Sequence, residues 1–152
     1  MSVKYLLVEI EKNLQEVFKG YKLVNQRENL ASLNIYQYNL PEKQEENDEE
    51  HFPYIIIRPT EGSLNQEEET VTTTLIFGIS DDGENKQGAA DITNMIEKYK
   101  NHLANNKFVG TYEVLFPITW ELQDEDTHPL YFGGIAVMWK LHNMKQKEAV
   151  LI

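Results

Sequence analysis

The apolar positions follow two periodicities, and these divide the chain into elements. Val3, Leu6, Leu7, Ile10, Leu14, Val17 and Phe18 recur at spacings of three and four, which predicts an amphipathic first helix. Ser2 stands at its N-cap and Gly20 at its C′ position. Ile92, Met95, Ile96, Tyr99 and Leu103 form a second stripe, predicting a helix over about residues 87–105 that stops at Asn105 and Asn106. Residues 32–38 read as a short strand. Residues 54–58 are a continuous β-prone run between Pro53 and Pro59, which predicts a strand covered on both faces. Residues 70–79 alternate strictly, with Val71, Thr73, Leu75, Phe77 and Ile79 on one face and threonines on the other. Tyr112, Val114, Phe116, Ile118, Trp120 and Leu122 keep one alternation through Pro117, which marks an edge position or a bend. Tyr131, Ile135, Val137, Trp139 and Leu141 share a face, and Gly133 with Gly134 predicts a bulge.

The order is therefore α-β-β-β-α-β-β. It predicts an α+β fold, a mixed sheet rich in antiparallel pairs with two amphipathic helices packed on one face. The strands at 54–58 and 70–79, joined by a loop of about ten residues, are expected to be antiparallel neighbours. The face under the helices is predicted to hold Val71, Leu75, Phe77, Val114, Phe116, Trp120, Ile135, Val137 and Trp139. Leu7, Leu14, Ile92, Ile96, Tyr99 and Leu103 are their expected partners.

Between the elements the composition turns acidic. Residues 41–51 hold six acids, one lysine and nothing apolar, which predicts a mobile loop inside a single domain of residues 1–152. Residues 61–69 read as a second acidic loop, residues 124–126 as a third, and Asp81-Asp82-Gly83 as a turn. With 14 Lys+Arg against 25 Asp+Glu the net charge is −11, which argues against binding to a nucleic-acid backbone or an anionic membrane surface. The absence of cysteine excludes disulfides, thiolate zinc sites, iron–sulfur clusters and a cysteine nucleophile. The first twenty residues carry interspersed charges, not the apolar core of a signal peptide. No apolar run reaches the 18 or so residues of a membrane span. The expectation is a soluble chain, intracellular where it is made.

Catalytic signatures are missing. There is no Gly-x-Ser-x-Gly, Walker loop, Gly-x-Gly-x-x-Gly or His-Glu-x-x-His. His51, His102, His128 and His142 do not pair at helical spacing. The carboxylate runs sit in polar loops, whereas acid–base chemistry needs carboxylates held on rigid elements in a dry pocket. Solvated acidic loops are the plainer reading, and a weak Mg²⁺ or Ca²⁺ site linked to assembly is the alternative. No cofactor is implied. Of the 16 aromatic rings, those on strands have only Arg58 and Lys140 as cations beside them, which favours core or protein-interface roles over nucleic-acid stacking.

Residues 51–62 (His-Phe-Pro-Tyr-Ile-Ile-Ile-Arg-Pro-Thr-Glu-Gly), 74–79 (Thr-Leu-Ile-Phe-Gly-Ile) and 130–139 (Leu-Tyr-Phe-Gly-Gly-Ile-Ala-Val-Met-Trp) together form a distinctive set. The chain resembles the tail terminator, or tail-completion, family of tailed bacteriophages and prophages of Gram-positive bacteria. The likeness spans about residues 51–141 and extends to the N-terminal helix. It implies a compact α/β fold and a ring of six copies with no catalytic residue. The ring's partners are the phage tail tube protein and the head–tail connector protein, in the tail or neck of the virion and in the host cytoplasm before assembly. Acidic loops suit such a ring. The candidate interface residues are Glu45, Glu46, Asp48, Glu49, Glu50, Glu67, Glu68, Glu69, Asp124, Glu125 and Asp126. Two alternatives stand beside this one: a head-completion or neck protein of the same gene cluster, and a small-ligand-binding α+β domain or enzyme.

Overall fold

The computed structural model describes residues 2–24, 30–41, 51–81 and 87–141. Helix α1 (Val3–Val17) buries Leu6, Leu7, Ile10 and Leu14, the centre of the predicted stripe. Ser2 is extended at the N-cap, and its backbone carbonyl accepts the Leu6 N–H at 3.1 Å; its hydroxyl makes no cap bond. Gly20 adopts φ +76°, a left-handed conformation open to glycine, as the chain turns away from the helix.

The predicted strand at 32–38 divides between the end of β2 and β3. β1 (Lys22–Val24), which the pattern does not predict, and β2 (Leu30–Ser32) form an antiparallel ribbon of their own, while β3 (Asn34–Gln37) joins the main sheet. β4 (Tyr54–Leu64) and β5 (Glu69–Ser80) follow, then helix α2 (Gly88–Asn105), the two-residue β6 (Phe108–Val109), β7 (Tyr112–Leu122) and β8 (Leu130–Leu141). The main sheet has the order β3-β4-β5-β8-β7-β6. Its β3–β4 pair is parallel and its other neighbours are antiparallel. This is the expected α+β fold with a mixed, mostly antiparallel sheet. The expected second acidic loop is shorter than its composition suggests, because β4 runs on through Leu64 and the turn takes up only residues 65–68. Backbone pairing with β5 overrides the polar side chains of residues 61–64.

The face assignment of β5 holds: Val71, Thr73, Leu75, Phe77 and Ile79 are all buried. Ile55 and Ile57 share their core. Tyr54 and Ile56 are buried on the other side of β4, so this segment is covered on both faces as its composition predicts. The ring of Phe52 packs on Tyr54 and on Phe132 there. Helix α2 lies on β5, β7 and β8, and α1 touches β3, β4 and β6. Contact of one helix with both margins requires the sheet to curl around it.

The glycine pair of β8 is not a bulge. β8 pairs with β5 without interruption from Leu130 to Leu141. Gly133 instead makes room for α2, since a Cβ there would lie 2.6 Å from Cγ2 of Ile92. The irregularity is in β7: Leu115 pairs with Met138 and Thr119 with Ala136, leaving two extra residues on β7. Pro117 lies inside this step, where it has no N–H to give to the ladder.

Two corrections follow for the predicted core. Phe116 is 58% exposed and Trp120 45% exposed. The register sets Trp120 level with Ile135, on the helix-facing side, but at the open margin of the sheet. Alternation assigns a side of a strand; it does not say how far the helices reach across it.

A polar clasp joins the helices. Tyr99 Oη donates to Asn13 Oδ1 at 2.8 Å, and Asn13 Nδ2 lies 3.2 Å from His102 Nε2. The His102 ring stacks on Tyr99.

Candidate assembly surface

Two parts of the surface depart from an ordinary solvated exterior: the open margin of β7 and the acidic turns. β6 pairs β7 only at Tyr112 and Glu113. Lys107 O accepts the Val114 N–H at 2.7 Å, and beyond it residues 116–122 have no strand partner on that margin among the described residues. Phe116, Trp120 and Leu122 are exposed along this stretch. An open edge with apolar side chains is a template for pairing with another chain.

Beside it a groove of about 480 Å³ is lined by Thr74, Ile76, Thr119, Trp120, Phe132 and Ala136, among others. Met138, 40% exposed, lies on the helix-free side of the sheet by its register with Thr72. Apolar and hydroxyl side chains line the groove and Glu121 is its charged member, so it offers contact area and few reactive groups.

The predicted interface acids separate into three sets. Glu45, Glu46, Asp48, Glu49 and Glu50 lie outside the described residues. Glu67, Glu68 and Glu69 sit at the β4–β5 turn, where Asn65 Oδ1 accepts the N–H groups of both Glu67 and Glu68 at 2.8 Å. This arrangement caps the turn. Glu68 pairs with Lys140 at 3.8 Å, and Glu69 opens β5 opposite Leu141. Asp124, Glu125 and Asp126 occupy the β7–β8 connection, and Asp126 Oδ1 accepts the His128 N–H at 3.2 Å. The last two sets lie at opposite ends of β8, roughly 37 Å apart at the usual rise of a strand. The fold therefore does not bring them together. Among the described residues no three His, Asp or Glu side chains group as metal ligands.

The three described histidines serve separate local contacts. His51 lies 3.3 Å from Tyr36 Oη, His102 meets Asn13, and His128 Nδ1 lies 2.7 Å from Tyr131 Oη. Burial, helped by the Lys98 ammonium, lowers the His102 pKa below its ordinary value. Asp91, in the first turn of α2, is raised by burial and then by the nearby Asp81 carboxylate.

Sequence reasoning missed the exposed members of β7. The available signal is Pro117, which in the sequence marks an edge position or a bend, whereas the alternation around it points to the core. No described helix is long and apolar enough to cross a membrane. No protein-family model matches the chain, and no curated protein matches it at a significant level.

Proposed function

We propose that this chain is a virion structural protein, a tail terminator that forms a ring of six, caps the tail tube of a phage and joins it to the head–tail connector. The observation that carries the reading is the open margin of β7, along which Phe116, Trp120 and Leu122 are exposed. A surface of that kind is buried in a functioning assembly. The acidic turns at the ends of the sheet leave charged surfaces for partners above and below. The resemblance over residues 51–141 supplies the identity of those partners, and a head-completion or neck protein of the same cluster shares it.

The test is light scattering coupled to size exclusion, followed by electron microscopy of purified tail tubes mixed with the protein. Six-membered rings seated on tube ends are expected. Tubes that stay uncapped, with the protein monomeric beside them, refute the terminator reading. The groove favours a second reading, a small-ligand-binding domain, since concave apolar sites are where such ligands bind. A ligand that raises the melting temperature of a persistently monomeric protein would select it.

A further inference from the structure

Among the described residues the main sheet has unpaired backbone on both margins. On one margin residues 116–122 of β7 have no partner among the described residues. On the other, β3 covers β4 only as far as Ile57, and Arg58 is held by Tyr38 O at 3.0 Å and Asn39 Oδ1 at 3.1 Å. Beyond that point residues 59–64 of β4 have no strand partner on this margin among the described residues. The two stretches are close in length.

Topology makes them complementary. β4, β5, β8 and β7 are successive antiparallel neighbours, so β7 runs opposite to β4. A second copy set beside the first in the same orientation therefore offers an antiparallel edge, the stronger of the two pairings. Without stagger, Leu64 would fall level with Tyr112, because Leu64 pairs Glu69, Glu69 pairs Leu141, and Lys140 pairs Glu113. β6 already pairs Tyr112. A stagger of two residues, about 7 Å, clears β6.

The same stagger matches charge. The register sets Arg58 level with Thr74, Ala136 and Thr119, on the helix-free face. Glu121 is two residues beyond Thr119 on that face, exposed and with no ion-pair partner among the described residues. Arg58 thus moves beside Glu121, an opposite-charge pair across the junction. On the helix-facing side the two margins present apolar groups, Leu64 at 69% exposure from one and Trp120 with Leu122 from the other. Pro59 and Pro117 interrupt the donors of both edges and disfavour pairing in other registers.

We infer that the contact between copies is an added strand: residues 58–63 of β4 in one copy pair antiparallel with residues 116–121 of β7 in the next, with Arg58 against Glu121. This deepens the ring reading and rests on it. The contact joins two different surfaces, so it repeats head to tail until the rotation closes.

The chain has no cysteine, so engineered pairs can be cross-linked without background. The variant carrying both R58C and E121C is oxidised at high protein concentration and run on a non-reducing gel. A ladder ending at six chains is expected, and neither single variant should give one. Independently, R58E and E121R should each lose assembly by light scattering while keeping the wild-type circular dichroism. An equimolar mixture of the two should recover it through alternating copies. Cross-linked dimers from E121C alone would mean that β7 pairs with β7, and would overturn the proposal. So would a double variant that gives no ladder. If R58E and E121R still form six-membered rings, edge pairing falls and the ring stands. If the ladder runs past six, edge pairing stands and the six-fold ring falls.

Discussion

Replacing Thr73 by valine removes one oxygen and leaves the side-chain volume almost unchanged, which makes it a sharp probe of the core. Thr73 and Trp139 are both fully buried, and the indole N–H donates to Thr73 Oγ1 at 2.9 Å. The hydroxyl in turn reaches Val137 O at a long 3.5 Å, a weak bond whose loss matters little. Valine therefore leaves the indole N–H buried without an acceptor, at a cost of about 1–3 kcal/mol. Part of this is offset because a buried hydroxyl becomes a methyl group. For a chain of this size each kcal/mol shifts the melting temperature by about 2–4 °C. W139F removes the donor as well as ring volume, so the double variant T73V/W139F should be less damaged than the sum of the singles. The expected coupling is on the order of 1 kcal/mol. Urea titration followed by far-ultraviolet circular dichroism measures all three variants. Thr73→Val within about 0.5 kcal/mol of wild type, an ordinary surface-substitution effect, or strict additivity in the cycle, would refute the argument.

Gly133→Ala places a methyl group 2.6 Å from Cγ2 of Ile92 and 3.1 Å from Glu121 O, so α2 must lift from β8. A loss of about 1–3 kcal/mol is expected from denaturant titration, and an unchanged midpoint would show that the helix yields freely. His102 is held below its ordinary pKa of 6.5, so the unfolded chain binds its proton at higher pH than the folded one. Stability should therefore fall as pH drops below about 6.5, and this part of the loss should be missing in His102→Asn. Equal pH slopes for the two proteins between pH 7 and 5 would contradict it. Six copies at −11 each bring −66 together, so ring formation should rise with added salt. Light scattering across a salt series tests this, and a stable ring in low salt without divalent ions would dismiss it.

The interior was legible because each core-facing strand carries its own period. Leu75, Phe77, Val137 and Trp139 could be assigned from alternation alone, and Ile92, Ile96, Tyr99 and Leu103 from helical spacing. The run at residues 54–57 announced burial on both faces. Other features depend on neighbours that the local pattern does not contain. Residues 61–64 look like loop and become strand because β5 pairs with them. Gly133 looks like a bulge and is a contact point for Ile92. Trp120 has the alternation of a core residue and stands at a margin that the helices leave open. The candidate surface was legible only through its prolines, Pro59 and Pro117, since edge position is a property of the whole sheet. The clustering of acids in turns was visible, but their separation to opposite ends follows from the length of β8.

That separation changes the electrostatic argument for assembly. If the acids of residues 67–69 and 124–126 faced each other across the subunit junction, repulsion would act at the point of contact. Instead they stand at the two ends of the sheet, roughly 37 Å apart by strand rise, against a screening length of about 8 Å in physiological salt. The margins between them carry little charge: Arg58 and Glu61 on one side and Glu121 on the other. In the proposed ring, lateral pairing would bring together like ends of neighbouring copies and confine the repulsion to two acidic rims. A divalent ion could bridge carboxylates only along a rim, between copies, and not from one acidic turn to the other within a copy. Glu67→Gln, Glu68→Gln and Glu69→Gln combined should then favour assembly and reduce any advantage of Mg²⁺ over Na⁺ at matched ionic strength. They should leave the cross-linking of the variant carrying R58C and E121C unchanged, because the rim and the edge act at different places. If neutralising that rim abolished the cross-link, the acids would be shown to position the edges, and the division of labour argued from the topology would be wrong.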